Sequence, residues 1–203
     1  MASGFFIVIE GLDGSGKSTV SKKLAAFLSK KREVLLTCEP SNSSYGKKLR
    51  KMLTEDSDPK AHAEQYLKLF VEDRKEHLKK EIEPALAQGK TVVCDRFKHS
   101  TIAFQSLQGI PLQEIISLHK DMISPDVTFI LDLPPSVAFE RLKRKKQKFE
   151  QQHFMRSLRQ NYLKLPKILK GEKIVIVDAS KNPERVFKKI VVELNRANLF
   201  RQT

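Results

Sequence analysis

The residue types best suited to chemistry stand together in one loop near the start of the chain. Residues 11–18 read Gly-Leu-Asp-Gly-Ser-Gly-Lys-Ser and fit the pattern G-x-x-x-x-G-K-[ST] without a gap. Glycines at this spacing let the backbone curl until several amide hydrogens point into one concavity, which suits a phosphate. A lysine there reaches β- and γ-phosphates, and a serine hydroxyl can ligate the accompanying magnesium ion. The loop predicts a nucleotide site made of Gly11, Asp13, Gly14, Ser15, Gly16, Lys17, Ser18 and Thr19.

The sequence on each side of this loop predicts the elements that must position it. Residues 5–9 form an apolar, partly β-branched run, which is typical of a strand buried on both faces of a parallel sheet. Residues 17–31 read as a helix with Val20, Leu24 and Leu28 on its inner face, so its positive dipole end faces the same anion. A chance match would lack this context, which therefore favours nucleotide binding.

The rest of the chain alternates strands with helices. Four further strands are predicted at 33–38, 91–94, 126–133 and 173–177. Helices are predicted at 45–53, 61–88 (with a kink or restart at Pro84), 100–107, 112–122, 136–146, 151–169 and 183–195. This order implies an α/β fold of the P-loop NTPase type, with a five-stranded parallel sheet and helices on both faces. Because no repeat or Gly/Ser linker interrupts it, we expect a single domain over residues 1–203.

The composition narrows the kind of ligand and the compartment. Lysine and arginine number 38 against 24 acidic residues, a net charge of +14 that suits anionic ligands, although it does not choose between nucleotides and nucleic acid. Cys38 and Cys94 show no metal-binding spacing, so we expect two buried, reduced thiols in a cytoplasmic protein. The N-terminus enters a strand almost at once, so we expect no signal peptide. No apolar run approaches the ~20 residues of a membrane span.

Acidic residues follow the predicted strands, and ligands of such sheets collect at the carboxyl ends of the strands. Four acids lie there: Asp13, Glu39, Asp95 and Asp132. Asp95 has the usual position of the second metal-holding acid of P-loop enzymes, with a helix cap as the alternative. Asp132 follows an apolar run in the same way, so two candidates for the metal remain, and Asp132 is equally interpretable as structural. Arg96 stands where a bidentate grip on phosphate is available.

A basic run, Arg-Leu-Lys-Arg-Lys-Lys-Gln-Lys at 141–148, has three interpretations. It is a solvated helix face, a nucleic-acid patch, or a mobile lid that closes cations over a transferring phosphate. Position 14 is glycine rather than a cation, so charge for the transition state must come from elsewhere in the chain. This favours a small lid segment at about 141–150, whose basic residues are its candidate catalytic cations.

Phe70 and Arg74 are four residues apart on one predicted helix and therefore share a face. An aromatic ring beside a guanidinium could stack on a planar base and hydrogen-bond to it. The spacing alone favours the plainer interpretation of a core phenylalanine and a surface arginine.

Over nearly its whole length the chain resembles the thymidylate kinases, which transfer the γ-phosphate of ATP to dTMP in the presence of Mg²⁺. The P-loop alone is generic, but the ordered set of matching stretches is specific. That set comprises residues 9–18, 39–40, 48–50, 70–74, 84–89, 95–97, 100–105, 125–126 and 131–132. The resemblance reverses the preference at Phe70 and Arg74, because the matching family residues stack on thymine and reach a base oxygen.

The resemblance also implies the remaining roles. In the family, residues matching Arg50 and Arg96 hold the monophosphate, the one matching Asp13 contacts the sugar 3′-hydroxyl, and those matching Thr101 and Gln105 lie beside the base and sugar. The expected acceptor site is Asp13, Glu39, Pro40, Arg50, Phe70, Arg74, Arg96, Ser100, Thr101, Phe104 and Gln105. We expect ATP with Mg²⁺ at Ser18 and Asp95, catalysis by Lys17, Asp95 and a lid cation, and a homodimer without nucleic-acid or membrane partners.

The chain departs from the family pattern at three places. Phe97 stands where the family usually has tyrosine or histidine, and Ser41-Asn42 where it usually has two glycines. Lys148 occupies the place of an expected lid arginine, and since lysine cannot bridge two phosphate oxygens, our hypothesis gives that task to Arg144 or, failing that, Arg141. The alternatives are a kinase for another nucleotide or nucleoside, and a nucleic-acid-binding P-loop NTPase.

Overall fold

The structure, a computed structural model, describes residues 4–56, 58–142 and 149–196. Its strands are β1 (Phe5–Gly11), β2 (Val34–Cys38), β3 (Thr91–Asp95), β4 (Val127–Asp132) and β5 (Ile174–Asp178). They form one sheet in the order β2-β3-β1-β4-β5, and every neighbouring pair is parallel. The predicted five-stranded parallel sheet is confirmed, with β1 at its centre.

The helices lie between the strands, as the alternating pattern predicts. They are α1 (Lys17–Leu28), α2 (Ser44–Glu55), α3 (Ala63–His77), α4 (Glu83–Ala87), α5 (Lys98–Gln105), α6 (Leu112–Ser117), α7 (Pro135–Arg141), α8 (Phe149–Ile168) and α9 (Pro183–Arg196). A π-helical segment over 78–82 joins α3 to α4. Pro84 lies in the first turn of α4, where its missing N–H is tolerated. The predicted long helix over 61–88 is therefore present, but it restarts just before this proline.

One predicted helix is much shorter than expected. The pattern over 112–122 predicts a helix of about three turns, but α6 ends at Ser117. The Nδ1–H group of the His119 side chain donates to the carbonyl oxygen of Ile115 at 2.7 Å. The backbone N–H of His119 donates instead to the carbonyl oxygen of Ile116. Because the Ile115 carbonyl is bound by an imidazole and the backbone tightens to i−3 bonding, the helix does not continue.

Helices cover both faces of the sheet, and the strands bury residues on both sides. On one face, Ile7 and Ile9 of β1 pack with residues of α1 and α9, among them Leu24 and Ile190. On the other face, Phe6 and Val8 pack against the segment that runs from α3 into α4. Tyr162 and its neighbours on α8 pack with α5 on that same side of the sheet. Burial on both faces accounts for the continuous apolar runs of the central strands.

The two cysteines differ in burial, so one prediction is wrong. Cys94 on β3 is buried, as expected, but Cys38 is exposed because β2 is an edge strand and the cysteine ends it. Burial raises the pKa of the Cys94 thiol well above its usual value. The Cys38 thiol is only partly shielded from water, and this partial desolvation together with the nearby Asp95 carboxylate raises its pKa. Within the described ranges, no helix is both long and apolar enough to cross a membrane.

Candidate active site

The loop between β1 and α1 adopts the conformation that its glycines predict. Gly11, Gly14 and Gly16 have φ values of 137°, 79° and 92°, a region that other residues rarely occupy. A Cβ atom at Gly14 would lie 2.8 Å from the carbonyl oxygen of Ala138 in α7. The packing of α7 against the loop therefore leaves no room for a side chain at position 14. This explains why the loop carries no cation of its own there.

Lys17 is the first residue of α1 and is only 7% exposed. Its Nζ donates to the carbonyl oxygen of Leu12 at 2.9 Å and lies 3.8 Å from a carboxylate oxygen of Asp13. Burial, and then the positive charge of Arg96, lower the lysine pKa from 10.5 to about 8, against the opposing effect of nearby carboxylates. Lys17 is thus a buried cation held between the Leu12 carbonyl and the Asp13 carboxylate at the phosphate loop.

Ser18 and Asp95 form a pair of oxygen ligands beside the loop. The Ser18 hydroxyl donates to Asp95 Oδ2 at 2.6 Å, and Asp95 Oδ1 is buried with no hydrogen-bond partner among the described residues. An unsatisfied carboxylate oxygen next to a hydroxyl fits Mg²⁺, which takes oxygen ligands and is usually bound through one or two carboxylates plus substrate phosphates. In the ranges that the structure covers, no cluster of three or more His, Cys, Asp or Glu side chains could hold a metal on its own.

The other candidate for the metal, Asp132, has a different environment. Its two carboxylate oxygens accept from Nε and Nη2 of Arg159 on α8 at 2.7 and 2.9 Å. This bidentate pair joins the end of β4 to α8 and occupies both oxygens. Of the two acids that the sequence left open, Asp95 is therefore the one whose geometry suits a metal.

A cavity of about 740 Å³ opens over the phosphate loop. At its mouth, the guanidinium of Arg141 approaches the carbonyl oxygens of Gly14 at 3.4 Å and Ala179 at 3.0 Å. Arg141 therefore joins the phosphate loop to the segment after β5. The other two candidate lid cations, Arg144 and Lys148, lie outside the described residues. The lining residues are Asp13–Val20, Cys38–Pro40, Arg50, Asp95, Arg96, Arg141, Leu142, Ala179, Lys181, Pro183 and Val186.

A second cavity of about 340 Å³ adjoins the first. Both cavities are lined by Asp13, Pro40 and Arg96, so these residues mark their junction. The side-chain oxygen Oε1 of Gln105 is buried here without a hydrogen-bond partner in the described ranges. Five predicted acceptor residues come together only in this second cavity: Phe70, Ser100, Thr101, Phe104 and Gln105. Leu53, Pro59, Tyr66 and Gln108 complete its lining.

Arg96 lies at this junction in an unusual backbone conformation. Its φ of 74° is in the left-handed region, which non-glycine residues seldom adopt and which is often found at functional sites. The guanidinium pairs with Asp13 and donates to the hydroxyls of Ser100 at 3.0 Å and Tyr162 at 3.3 Å. These partners hold the arginine at the point where the two cavities meet.

Glu10 and Tyr162 support the junction, and sequence reasoning missed both. Glu10 is fully buried, and its Oε1 accepts from the backbone N–H of Phe97 at 2.8 Å and of Ser100 at 3.1 Å. Its Oε2 accepts from the Ser100 hydroxyl at 2.7 Å and from Tyr162 at 3.3 Å. A glutamate directly after five apolar residues is a signal that could have found Glu10. Nothing local distinguishes Tyr162, whose pKa is raised, chiefly by burial.

Arg74 is 1% exposed, so the surface position that spacing favoured is wrong. Its Nε donates to Glu39 Oε2 at 2.9 Å, Nη2 donates to the Thr101 hydroxyl at 3.1 Å, and Nη1 lies 2.6 Å from Nε2 of His119. Burial, and then Arg74 itself, lower the pKa of His119 to about 3, so the neutral imidazole accepts this bond. The guanidinium also lies 5.1 Å from the centre of the Phe97 ring. Arg74 thus contacts the second cavity through Thr101.

A phosphate loop with a buried lysine, a serine–aspartate pair and an adjoining aromatic cavity define a P-loop enzyme of the nucleotide kinase class. The sequence matches the family model for thymidylate kinase over residues 9–190. It is 41% identical over 179 residues to the probable thymidylate kinase of Pyrococcus horikoshii, covering 85% of this chain and 87% of that protein. The chain belongs to the thymidylate kinase family.

Two further relatives support the same assignment. The probable thymidylate kinase of Thermococcus gammatolerans is 38% identical over 199 residues, which cover 93% of this chain and 94% of the relative. The thymidylate kinase of Brachyspira hyodysenteriae is 42% identical over 158 residues, or 75% of this chain and 76% of the relative. The likeness therefore extends over most of this chain and most of each relative.

Proposed function

We propose that this protein transfers the γ-phosphate of ATP to dTMP and releases dTDP and ADP. The observation that carries the proposal is the pair of contiguous cavities that meet at Asp13 and Arg96. The larger cavity contains the phosphate loop, and the smaller one is lined by aromatic rings and amide groups that suit a planar base. A phosphate that crosses the junction passes directly from one nucleotide to the other.

On the donor side, the proposal assigns the β- and γ-phosphates of ATP to the loop amides and to Lys17. The buried ammonium exchanges its bond to the Leu12 carbonyl for the stronger interaction with a phosphate. Ser18 and Asp95 would hold Mg²⁺, which supplies neutralising charge to the phosphate oxygens. Because the Ser18 hydroxyl already donates to Asp95, the two ligands are close together before any cation binds.

On the acceptor side, Phe70 provides a ring on which the thymine base stacks, and Arg96 binds the monophosphate at the junction. Arg50 lines the larger cavity beside Pro40 and completes the phosphate site. The acceptor already carries an ionised phosphate oxygen able to attack, so no strong general base is required. Catalysis then consists of alignment and neutralisation of charge.

The closing cation of the proposed mechanism comes from the basic run at 141–148. Arg141 binds two backbone carbonyl oxygens at the mouth of the larger cavity, which makes it a less suitable bidentate ligand for a transferring phosphate. We therefore retain Arg144 as the principal candidate, with Lys148 assisting and Arg141 as the alternative.

An ADP-release assay with dTMP, dUMP, dCMP, AMP and thymidine as acceptors tests the proposal. We expect the highest kcat/KM with dTMP and no turnover with thymidine, because Arg50 and Arg96 need a phosphate to bind. Lys17→Ala, with a melting temperature close to that of the wild type, serves as the inactive control. Turnover of thymidine but not of dTMP would make the protein a nucleoside kinase, and tight, salt-sensitive oligonucleotide binding without kinase activity would favour a nucleic-acid NTPase.

The proposal also covers the organisation of the molecule. We propose a single kinase domain, a homodimer as the family resemblance implies, and a cytoplasmic location. Light scattering on the purified protein, at several concentrations and with and without dTMP, measures the oligomeric state directly. A mass of 23.3 kDa at every concentration would contradict the dimer.

A further inference from the structure

A buried carboxylate on α3 lies outside both cavities and has no place in the mechanism described so far. Asp73 is 1% exposed and follows Phe70 by three residues. It accepts from the Ser41 backbone N–H at 2.8 Å, from the Ser41 hydroxyl at 2.6 Å and from the Ser43 hydroxyl at 2.6 Å. Burying an ionised carboxylate is costly unless it is hydrogen-bonded, and here the donors come from a single loop.

The loop that Asp73 binds is the one that holds Arg50. Nη1 of Arg50 donates to the carbonyl oxygens of Pro40 at 2.7 Å and Ser41 at 2.8 Å. The positions of these two carbonyls depend on the conformation of the loop, and Asp73 binds the loop at Ser41 through the backbone N–H and the hydroxyl of that residue. The guanidinium of Arg50 is therefore positioned by carbonyls that depend on a carboxylate 32 residues further along the chain.

The same carboxylate also fixes the helix that carries Arg50. Ser43 is the N-cap of α2, and its hydroxyl oxygen accepts from the Gly46 N–H at 2.9 Å. Because the Ser43 hydroxyl donates its hydrogen to Asp73, its lone pair is turned toward Gly46. A Cβ at Gly46 would overlap the Ser41 carbonyl oxygen, so α2 packs directly on the loop. Asp73 thus fixes both the start of the helix that carries Arg50 and the loop carbonyls that hold the Arg50 guanidinium.

We propose that Asp73 is a positioning residue for acceptor-phosphate binding, which acts through Arg50 by holding the loop over residues 40–43. The inference rests on the proposed function, since it takes Arg50 as a ligand of the acceptor phosphate. It also gives a physical reason for Ser41, which stands where the family usually has glycine. Its hydroxyl adds a hydrogen bond to the carboxylate that a glycine could not make.

Asp73→Asn is the central test, because an amide keeps the size of the side chain but has only one acceptor oxygen. At least one of the three donors then faces an NH₂ group, and the loop loosens. We expect the affinity for dTMP to fall about tenfold, as for the loss of one hydrogen bond to a charged group. The KM for ATP should change less than twofold. The affinity for thymidine, measured as a competitive ligand, should also stay within twofold, because thymidine has no phosphate for Arg50.

A double-mutant cycle with Arg50→Ala shows whether Asp73 acts through Arg50. In the Arg50→Ala background, Asp73→Asn should weaken dTMP binding less than twofold further. Full multiplication of the two single losses would overturn the proposal, as would equal losses for dTMP and thymidine. The matched control is Asp126→Asn, whose carboxylate accepts from the Phe6 N–H at 2.7 Å at the amino end of the sheet. It should leave dTMP affinity unchanged.

A second variant and a second substrate keep the test decisive. If Asp73→Asn does not fold, Ser41→Ala removes one of the three bonds and should give a smaller loss for dTMP but none for thymidine. If the wild-type protein phosphorylates a different monophosphate, the proposed function fails on its own. The same variants are then compared with that monophosphate and its nucleoside, and the inference is judged by the same ratio.

Discussion

The low pKa of Lys17 predicts that ATP binding weakens as the pH rises above neutrality. In the free protein, burial holds the pKa of this lysine at about 8 instead of 10.5. A bound phosphate places negative charge beside the ammonium, which favours the charged form and raises the pKa again. Binding of ATP is therefore coupled to the uptake of a proton by Lys17 whenever the pH approaches or exceeds the pKa of this lysine in the free protein. This proton uptake is a direct consequence of the burial of Lys17.

The size of the effect follows from the two protonation states. If only the protonated lysine binds phosphate well, the apparent dissociation constant for ATP rises by the factor 1 + 10^(pH − pKa). With a pKa of about 8, this factor is ~1.1 at pH 7, ~2 at pH 8 and ~11 at pH 9. ATP binding should thus be about tenfold weaker at pH 9 than at pH 7, which corresponds to roughly 1.4 kcal/mol. About half a proton should be taken up per ATP at pH 8.

Titration calorimetry in two buffers of different ionisation enthalpy measures both the affinity and the protons taken up. The matched control is Lys17→Arg, because arginine keeps its charge throughout this range. Its ATP affinity should be lower at every pH, but nearly constant from pH 7 to 9. A wild-type dissociation constant that does not change over this range would refute the reasoning. An equal slope in the variant would assign the titration to another group.

The same pKa shift has an opposite consequence for the stability of the free protein. Because the folded pKa of Lys17 lies below the unfolded value, the unfolded chain binds more protons between pH 8 and 10.5. Burying the charged lysine lowers the free energy of unfolding by on the order of 3 kcal/mol below pH 8. This loss of stability disappears as the pH rises toward 10.5. The free energy of unfolding of the wild type relative to Lys17→Met should therefore increase with pH across this window.

Four further substitutions test the acceptor side and the lid. Phe70→Ala should weaken dTMP binding by about 5- to 150-fold with little effect on ATP, by analogy with base–aromatic stacking; unchanged dTMP affinity with a large loss of melting temperature would make Phe70 a core residue. Arg144→Ala should lower kcat by ~10³-fold in single-turnover measurements, whereas Lys148→Arg should be tolerated; an intact chemical step in Arg144→Ala would contradict the lid assignment. Tyr162→Phe removes a hydroxyl from Arg96 and should weaken dTMP binding about fivefold; an equal loss for ATP would place its effect elsewhere.

The parts of this structure that could be predicted from sequence are those whose signal is local. The phosphate loop consists of eight consecutive residues, and its glycines specify a backbone that the structure reproduces. The five strands are recognisable because burial on both faces requires an apolar run. Cys38 shows where such reasoning ends. Its run is apolar as well, but the sequence does not say that this strand lies at the edge of the sheet.

The choice between Asp95 and Asp132 needed tertiary structure for a similar reason. Both acids end an apolar strand, and both strands pair with β1, so neither the pattern nor the strand order separates them. The difference is Arg159, which α8 brings to Asp132 from 27 residues away. Arg74 could not be placed from the sequence for the same reason. Its spacing of four from Phe70 indicates a shared helix face, but not whether that face is exposed to water or packed against Glu39. Pairings over such distances leave no local trace.

The acceptor side of the site is organised by a single turn of α3, whose side chains reach three different parts of the site. Phe70 faces the smaller cavity, Asp73 holds the loop over 40–43, and Arg74 pairs with Glu39. Successive residues of a helix are turned by about 100°, so one rigid element can reach a base pocket, a loop and a buried ion pair at once. The donor side depends on α1 and the phosphate loop instead. Substitutions on this turn should therefore change the KM for dTMP while that for ATP stays constant, and a loss of ATP affinity from the turn of α3 would show that the two halves are coupled through the Arg96 junction.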